Sequence, residues 1–324
     1  MHLYCTLFDR NYITRGLALH GSILRHRRDF RIVILCLDEI THELLGKLDL
    51  PGVVLVSLSS PEAFDPELLR AKQHRATIEY YFTCKPALMR FMVEKYTDAS
   101  RITYLDSDLF YFSDPSLLES EYSDAAVALT PHRFPPRLSE RNQFGRFNAG
   151  WVSAGCADEG RRFIDWWRAR FLEWCLLEVQ EDRFGDQKYL NQVPDLFSRV
   201  IVLENPGANL APWNLDGRHV QRSAQGVVVD AEPLVFFHFH GIRKVLWKLY
   251  DRGLEGYQVP LTPQMRANIY SPYLASLAES EILVRRHFAK RVESGVGRYS
   301  LTGTMRSFRR AAQLIASGTC VIEP

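Results

Sequence analysis

The sequence predicts an α/β fold with a Rossmann-like, mostly parallel central sheet, helices on both of its faces and a helical C-terminal extension. The first half of the chain alternates strand-like apolar segments with segments whose apolar residues recur at helical spacing. This βαβα rhythm is typical of a mostly parallel sheet that is covered by helices. The strand-like segments are continuously apolar rather than alternating, which indicates burial on both sides.

Each element is predicted from the local period of the apolar residues and from the turn residues between segments. The segment 12–25, for example, carries Ile13, Leu17 and Leu24 at helical spacing. From about Val245 onward, the pattern predicts helices and turns. The predicted strands are 3–8, 31–37, 53–58, 101–106, 125–130, 147–153, 199–203 and 234–240, and the predicted helices are 12–25, 39–48, 85–96 and 158–178.

The composition is that of a globular protein with one large domain plus an extension, or with two domains. Of its 324 residues, 46% are hydrophobic and 24% are charged, which argues against disorder. The change of pattern before Pro260 and Pro263 predicts a domain of residues 1–255 and a mainly helical, basic extension of residues 256–324. The net charge of +2 implies no general attraction to polyanions, so we expect no nucleic-acid partner.

Three features of the chain concern its compartment. The six cysteines, at positions 5, 36, 84, 156, 175 and 320, have no Cys-x-x-Cys spacing, so we expect neither a disulfide framework nor a zinc site. The N-terminus reaches Asp9 without a basic region and a long apolar core, so we expect no secretory signal. No run of about 18 uninterrupted apolar residues predicts a membrane-spanning helix. These features together predict a protein of the reducing cytoplasm.

The most informative motif is Asp106-Ser107-Asp108, at the end of a predicted strand. Because side chains alternate along an extended strand, Asp106 and Asp108 project to the same side. They could converge on one hard divalent cation that is shared with substrate phosphates. The carboxyl ends of strands are also where open α/β sheets bind their ligands. The alternative is a turn in which the motif simply caps the next segment.

A second motif, His238-x-x-Gly241-x-x-Lys244, ends the last strong strand-like segment. His238 could supply a third metal ligand, and mixed imidazole and carboxylate ligation suits manganese better than calcium. We therefore expect Mn²⁺ or Mg²⁺ as the cofactor. Gly241 would let the backbone come close to a ligand, and Lys244 would place a point charge beside a phosphate. The alternative is a strand end with an incidental basic residue.

The ordered set of motifs resembles the retaining GT-A glycosyltransferases of family 8, the group that contains bacterial lipopolysaccharide galactosyl- and glucosyltransferases and glycogenin. Five stretches match in order, although no single stretch is specific. Val245-Leu246-Trp247 follows the last motif where the family usually has Pro-Trp, so the donor sugar and the acceptor do not carry over. The matching stretches are Asp9-Arg-Asn11-Tyr12, Asp106-Ser107-Asp108, Phe147-Asn148-Ala149-Gly150, Gly185-Asp186-Gln187-Lys-Tyr-Leu190-Asn191 and His238-x-x-Gly241-x-x-Lys244.

The resemblance implies a role for each stretch. The first would hold the nucleotide base and ribose, the third would face the donor sugar, and the fourth would lie beside the reacting sugar. Lys85 is assigned to the donor by its position alone, and Asp186 could instead cap a helix that opens at Gln187. The implied metal ligands are Asp106, Asp108 and His238, the implied catalytic residues are Asp186, Gln187 and Lys244, and the implied substrate-binding residues are Asp9, Asn11, Tyr12, Lys85, Ser107, Asn148, Ala149, Gly241 and Lys244.

The implied activity is metal-dependent transfer of a hexose from a nucleotide-sugar, expected to be a UDP-sugar, with retention of the anomeric configuration. The implied acceptor is a glycan or a lipid-linked molecule in bacterial polysaccharide biosynthesis. The cation and Lys244 would stabilise the charge that develops on the leaving diphosphate. A sugar-nucleotide nucleotidyltransferase is one alternative, although it should carry a Gly-rich basic loop where this chain has Phe8-Asp9-Arg10-Asn11-Tyr12. A non-catalytic sugar-nucleotide-binding relative is the other alternative.

Two groups of residues outside the motifs have more than one interpretation. The segment from Arg285 to Arg310 carries eight basic residues and one acid. It would either contact anionic headgroups at the inner face of the membrane or form a solvated helix. The helical spacing of Trp166, Trp167 and Trp174 favours a place in the core over a sugar-stacking platform. Trp213 is either a buried strut or an acceptor platform.

Overall fold

The computed structural model describes residues 1–246, 248–288, 310–311, 314 and 320–322. Its strands are mostly short, and the longest lie in the first half of the chain. In chain order they are β1 (His2–Phe8), β2 (Ile32–Cys36), β3 (Val53–Ser57), β4 (Arg101–Leu105), β5 (Leu109–Tyr111), β6 (Val127–Pro131), β7 (Phe147–Gly155), β8 (Val200–Val202), β9 (Val220–Ser223), β10 (Gly226–Val229), β11 (Glu232–Pro233), β12 (Phe236–His238), β13 (Arg243–Leu246), β14 (Leu249–Asp251) and β15 (Cys320–Ile322).

The central sheet has seven strands in the order β3-β2-β1-β4-β7-β6-β8. Strand β1 pairs in parallel with β2 and β4, β2 with β3, and β6 with β8, whereas β7 runs antiparallel to both of its neighbours. The predicted mostly parallel sheet is therefore confirmed. Strands β2 and β4 are buried along their whole length. The continuously apolar sequence of β2 predicts this burial, whereas β4 also buries Arg101 and Thr103. The carboxyl ends of β1, β4 and β6 lie at one edge of this sheet.

Helices flank the central sheet, and a long C-terminal helix is present, as predicted. Shorter 3₁₀ helices occupy Pro136–Phe144, Lys188–Gln192 and Glu255–Tyr257, and a π-helical turn occupies Arg266–Tyr270. The α-helices are α1 (Ile13–His26), α2 (Glu39–Leu48), α3 (Ser59–Phe64), α4 (Pro66–Lys72), α5 (Thr77–Lys95), α6 (Ser116–Tyr122), α7 (Asp158–Glu173), α8 (Val193–Leu196), α9 (Pro263–Met265) and α10 (Ser271–Phe288).

The ends of two helices differ from the prediction. Helix α5 begins at Thr77 rather than at residue 85, and Pro86 lies inside it. The carboxylate of Glu79 accepts the Ala76 N–H at 3.0 Å, which satisfies a donor at the start of this longer helix. Helix α7 ends at Glu173 rather than at residue 178, because Trp174 takes an extended backbone with φ −157° and ψ 130°.

The C-terminal part of the chain contains strands where the pattern predicts only helices and turns. Strands β13 and β14 form an antiparallel hairpin, and β15 pairs with β14. These strands have only three or four residues each, which is too short to show a period. The strand predicted at 234–240 is reduced to β12, and it pairs with β5 rather than with the central sheet.

Residues 1–9, 27–107 and 116–204 form a first compact unit. It contains the central sheet and the helices from α2 to α8. Its core includes Trp167 and Phe163 of α7, whose rings stack with centroids 5.6 Å apart. Trp167 is therefore a core residue, as its spacing predicts.

Residues 10–26, 108–115 and the described residues from 205 onward form a second compact unit. Its core is rich in aromatic residues, and the rings of Phe239 and Tyr273 stack 3.7 Å apart. The division of the chain at residue 255 stays a prediction. None of the described helices combines the length and the apolar composition that crossing a membrane requires.

The replacement of Gly160 by alanine should lower the melting temperature of the protein. The new Cβ would lie 2.4 Å from the carbonyl oxygen of Gly155, and forcing extra carbon into such packing costs about 1–3 kcal/mol. Gly46→Ala is the matched control, because its Cβ would meet only Leu55 Cδ1 at 3.9 Å. A helical Gly→Ala change without a clash stabilises by about 0.5–1 kcal/mol. Melting curves that rank the two variants equally would contradict the close approach of α7 to β7.

Candidate active site

One group of predicted site residues lies in the first unit, around the end of β4. The Asp106 N–H donates to the Gly150 carbonyl at 2.7 Å, which continues the pairing between β4 and β7. Tyr104, two residues earlier, donates its hydroxyl to Asp106 Oδ1 at 2.8 Å. Burial, and then the neighbouring carboxylate, raise the pKa of Tyr104 well above its usual value. The phenol therefore stays a donor at physiological pH and orients the Asp106 carboxylate.

Lys85 of α5 joins Asp106 to Asp186. Its Nζ lies 2.8 Å from Asp106 Oδ1 and 2.5 Å from Asp186 Oδ2, and its side chain is only 4% exposed. Burial alone would lower the pKa of Lys85, but the two carboxylates outweigh burial and the pKa is raised. The rings of Phe82 and Tyr104 lie 5.2 and 5.0 Å from the ammonium. Lys85 is thus a buried cation that is held on two sides by carboxylates.

Asp186 is engaged by Lys85 rather than by the helix that follows it. The 3₁₀ helix Lys188–Gln192 has Gln187 at its N-cap position, without a side-chain capping bond. The Asp186 carboxylate contacts Lys85 instead. The interpretation of Asp186 as a helix cap is therefore not supported.

Asn148 and Ala149 lie at the start of β7, where its pairing with β6 becomes irregular. Asn148 is buried, accepts the Gly150 N–H through Oδ1 at 3.1 Å, and places Nδ2 3.3 Å from His132 Nε2. The methyl group of Ala149 is 1% exposed and packs in the core. A contact between Ala149 and a ligand would therefore come from its backbone.

Another group of predicted site residues lies in the second unit, where β5 and β12 pair. Asp108 precedes β5 and His238 ends β12, and His238 Nε2 lies 3.1 Å from Asp108 Oδ1. The Phe239 N–H donates to the Asp108 carbonyl at 2.9 Å, which holds the two segments in register. Burial by itself would raise the pKa of Asp108, but His238, His240 and Arg15 outweigh burial and hold it well below its usual range.

Trp213 supports the imidazole of His238. The two rings meet edge to face with centroids 5.2 Å apart, and Trp213 is only 3% exposed. The backbone N–H of His238 donates to the Leu210 carbonyl at 2.8 Å. Trp213 is thus a buried strut rather than an exposed platform, and it restricts the orientation of the His238 ring.

The predicted metal ligands are Asp106, which belongs to the first unit, and Asp108 and His238, which contact each other in the second unit. Ser107, between the two aspartates in the chain, is 7% exposed. Two carboxylates and one imidazole are a ligand set that suits Mn²⁺.

Lys244 lies on β13 and pairs with Glu281 of α10, with Nζ 2.7 Å from Oε2. Arg285 is a second cation on Glu281, at 2.5 Å. Burial would raise the pKa of Glu281, but Lys244 and Arg285 outweigh burial and lower it. Gly241, three residues before Lys244, has φ +77°, a conformation that favours glycine. Lys244 therefore already has a carboxylate partner within the protein.

The turn after β1 carries the residues predicted to hold the nucleotide. Asp9 is half-buried, whereas Asn11 and Tyr12 are exposed. The guanidinium of Arg15 lies 4.4 Å from the centroid of the Tyr12 ring, and it donates to the Ile242 carbonyl at 2.9 Å. These contacts connect the Tyr12 ring to the loop that precedes β13.

Tyr104 and Glu281 contact candidate site residues but were not predicted. Tyr104 lies two residues before Asp106, so the alternation of side chains along the strand could have identified it. Glu281 lies 37 residues after Lys244, and no sequence signal connects the two. The functional roles of all the predicted site residues stay predictions.

Comparison with known proteins identifies sequence relatives. No protein-family model matches the chain. The uncharacterized protein YfnD of Bacillus subtilis (strain 168) is 35% identical over 277 residues, which cover 85% of this chain and 88% of YfnD. The chain belongs to the YfnD family. YfnF of the same organism is 34% identical over 251 residues, which cover 75% of this chain and 82% of YfnF.

Solved structures of glycosyltransferases share the fold of this YfnD-family protein. The galactosyltransferase LgtC, in complex with donor and acceptor sugar analogs, matches 83% of this chain and 100% of its own length, with a TM-score of 0.51 and 17% identity. The bifunctional glycosyltransferase WbbM, in its apo form, matches 87% of this chain and 51% of its own length, with a TM-score of 0.51 and 17% identity. The predicted GT-A fold is therefore confirmed.

The replacement of Lys85 by methionine should destabilise this YfnD-family protein in a pH-dependent manner. Removal of one partner from a buried ion pair costs about 3–5 kcal/mol, and the two carboxylates that remain repel each other. The loss should therefore be largest near pH 7 and shrink toward about pH 5, where a proton can replace the lysine. Melting temperatures in EDTA at the two pH values measure this effect.

Lys188→Met is the matched control for Lys85→Met. Lys188 is also buried, but its Nζ donates to the backbone carbonyl of Gln180 at 2.5 Å rather than to a carboxylate. Its replacement should cause a loss that does not depend on pH over this range. The same pH-independent loss in both variants would contradict the charge coupling at Lys85.

Proposed function

We propose that this protein is a retaining, divalent-metal-dependent glycosyltransferase of the family 8 type. It would transfer a hexose from a UDP-sugar to a glycan or lipid-linked acceptor in bacterial polysaccharide biosynthesis. The observation that carries the proposal is the contact of Asp108 with His238 at 3.1 Å, in a GT-A fold. Asp108 lies two residues after Asp106 in the chain. The family that the motifs resemble binds its metal with these residue types.

Asp106, Asp108 and His238 would hold Mn²⁺ or Mg²⁺. When bound, the cation neutralises charge on the donor diphosphate and on the leaving group. Trp213 and the pairing of β5 with β12 keep the His238 ring in a defined position. Because Nε2 must be unprotonated to act as a ligand, metal affinity should fall at acidic pH.

Lys244 would stabilise the leaving diphosphate. Negative charge develops on the β-phosphate as its bond to the anomeric carbon breaks, and a fixed cation lowers the energy of that state. The Lys244 ammonium pairs with Glu281, so an incoming diphosphate would compete with that carboxylate. Gly241 would let the backbone approach the same phosphates.

Asp186 and Gln187 would lie beside the reacting sugar, with Asn148 on β7 facing the same donor. Glycosyl transfer passes through an oxocarbenium-like transition state, and a carboxylate in a fixed orientation stabilises its positive charge. Lys85 supplies that orientation through its ion pair with Asp186. In this proposal Lys85 acts on the donor through the two carboxylates that it positions.

Asp9, Asn11 and Tyr12 would bind the base and ribose of the donor. Tyr12 is exposed and Arg15 lies near its ring, so the ring could stack on a nucleotide base. The backbone of Ser107 and Ala149 would complete the donor contacts.

A domain of residues 1–255 would carry the catalysis, and the extension of residues 256–324 would rest on the inner face of the membrane. Arg285 and Arg286 lie in the last turn of α10. Arg310 contacts Asp251 at 2.9 Å and Glu255 at 2.5 Å. Most of the basic segment lies outside the described residues, so its contact with anionic headgroups is supported only by its composition.

A donor screen tests the activity directly. The full-length protein and Mn²⁺ are incubated with UDP-, GDP- and ADP-sugars, and release of nucleoside diphosphate is measured. We expect release from a UDP-sugar. NMR of the product linkage tests retention separately. Absence of release from every donor, with pyrophosphate release from a nucleoside triphosphate and a sugar phosphate, would favour a nucleotidyltransferase.

The replacement of Asp108 by alanine should abolish metal-dependent turnover, because one of three proposed ligands is lost while the fold is kept. EDTA should abolish the turnover of the wild-type protein in the same way. Asp124→Asn is the control, since this exposed carboxylate lies outside the site. Full activity of Asp108→Ala, or full activity in EDTA, would exclude the proposed metal role.

The replacement of Lys244 by alanine should lower kcat on the order of 100-fold, comparable to the loss of one preorganised donor at a developing anion. Glu281→Gln should instead lower the KM for the donor, because the diphosphate no longer competes with a carboxylate for Lys244. Glu279→Gln is the matched control on the same helix. An effect of Lys244→Ala below about threefold, or an unchanged KM in Glu281→Gln, would contradict this exchange of partners.

A further inference from the structure

A groove of about 800 Å³ lies in the first unit, lined by the end of α4, the loop before α5 and the end of α7. This volume lies in the range of sites that hold small ligands, about 300–1,000 Å³. Its walls combine two carboxylates, Glu67 and Glu173, with four arginines, one histidine and one large aromatic residue: Arg70, Arg75, Arg168, Arg170, His74 and Trp174. None of these residues belongs to the candidate active site.

The arginines of the groove differ in how far protein carboxylates already neutralise them. Arg168 contacts Asp65 and Glu67 at 2.5 and 2.7 Å, and Arg170 contacts Glu173 at 2.8 Å. Arg75 instead donates to two uncharged oxygens, Thr83 Oγ1 at 3.0 Å and the Leu172 carbonyl at 2.8 Å. These two bonds hold the Arg75 guanidinium at the groove without balancing its charge.

Arg70 adds a second cation that is weakly engaged. Its side chain is 71% exposed, and its nearest carboxylate oxygen, on Glu67, is 3.7 Å away. A pair at this distance and exposure contributes little, so Arg70 can turn to a ligand at small cost. The exposed His74 lies between Arg70 and Arg75 in the chain. The α4 side of the groove is therefore suited to an anion.

Trp174 adds an apolar surface that suits a sugar ring. It follows the last residue of α7, is half-buried, and lines the groove. The guanidinium of Arg183 lies 4.9 Å from the centroid of its ring, which restricts the side chain. A restrained indole beside arginines can pack on a pyranose face while the cations bind its charged substituents.

The wall of the groove is bonded to the residue that precedes Asp186. Cys175 donates its thiol to the Gly185 carbonyl at 3.4 Å, and the Gly185 N–H donates to the Leu176 carbonyl at 2.9 Å. Gly185 has φ +49°, so the chain turns sharply there before it reaches Asp186. The groove thus adjoins the residue that is proposed to lie beside the reacting sugar.

We propose that this groove binds a negatively charged segment of the acceptor, an oligosaccharide that bears phosphate or carboxylate groups. Arg75 and Arg70 bind the anionic groups and Trp174 packs on a sugar ring. The acceptor part of this inference rests on the proposed glycosyltransferase function, whereas binding of the anionic oligosaccharide does not.

The test is calorimetric titration of the full-length protein without donor or metal. Mannopentaose phosphate and unphosphorylated mannopentaose form a pair that differs only in the anionic group, and a hyaluronan tetrasaccharide supplies the carboxylate arm. We expect at least one anionic probe to bind more tightly than neutral mannopentaose. Arg75→Gln and Arg70→Gln should each weaken that binding about tenfold, the value of one charge-assisted hydrogen bond.

Arg162→Gln is the matched control for Arg70→Gln. Arg162 is 73% exposed and lies 3.8 Å from Glu159, three residues away, so it reproduces the setting of Arg70 outside the groove. The Arg162→Gln variant should bind the anionic oligosaccharide as tightly as the wild-type protein does. Equal binding of mannopentaose and its phosphate with no binding of the hyaluronan probe, or an equal loss in Arg162→Gln, would overturn the proposal. Arg70→Gln also covers the case in which Arg75→Gln fails to fold.

Release of UDP from the donor without acceptor separates the two proposals. It reports on the glycosyltransferase function and should be unchanged in Arg75→Gln and Arg70→Gln. The bound anionic oligosaccharide should then stimulate release in the wild-type protein and not in the groove variants. Binding without any UDP release would overturn the proposed function and leave the anionic site standing. UDP release without binding of an anionic oligosaccharide would overturn the anionic site and leave the proposed function standing.

Discussion

The burial of the Lys85 ammonium between two carboxylates is the interaction on which the predicted site residues of the first unit depend. An unpaired charge in the protein interior costs several kcal/mol, so α5 can bury Lys85 only where Asp106 and Asp186 both reach it. This requirement ties the middle of α5, the end of β4 and the loop before residue 188 to one arrangement. It also explains why Asp186 does not cap the following helix, since its carboxylate is committed to the lysine.

The same principle extends to the predicted site residues of the second unit. His238 is paired with Asp108, and Lys244 is paired with Glu281. Asp186 and Lys244 therefore each have a protein partner of opposite charge, and Asp108 contacts an imidazole. Ligand binding would exchange these partners rather than bring isolated charges together. Such an arrangement keeps the charged side chains oriented while limiting the cost of removing them from water.

Relation by sequence and relation by fold carry different information about this protein. The YfnD family shares about a third of its residues with the chain over most of its length, whereas LgtC shares the GT-A fold at 17% identity. The proposed chemistry rests on residues at the end of β4 and on β12, which belong to the scaffold. The anionic groove rests on α4 and on the segment after α7.

The sequence by itself determined the strands of the central sheet and the spacing of Asp106 and Asp108, because apolar period and short-range spacing are local properties. Only the tertiary structure decided where α5 begins. Proline usually lies in the first turn of a helix, but burial of Tyr80 and Cys84 favours a helix that begins before Pro86, at Thr77. The tertiary structure also decided that β12 pairs with β5 and that Glu281 meets Lys244. These contacts join segments far apart in the chain, and their partners are selected by packing and charge in three dimensions, which a one-dimensional pattern does not encode.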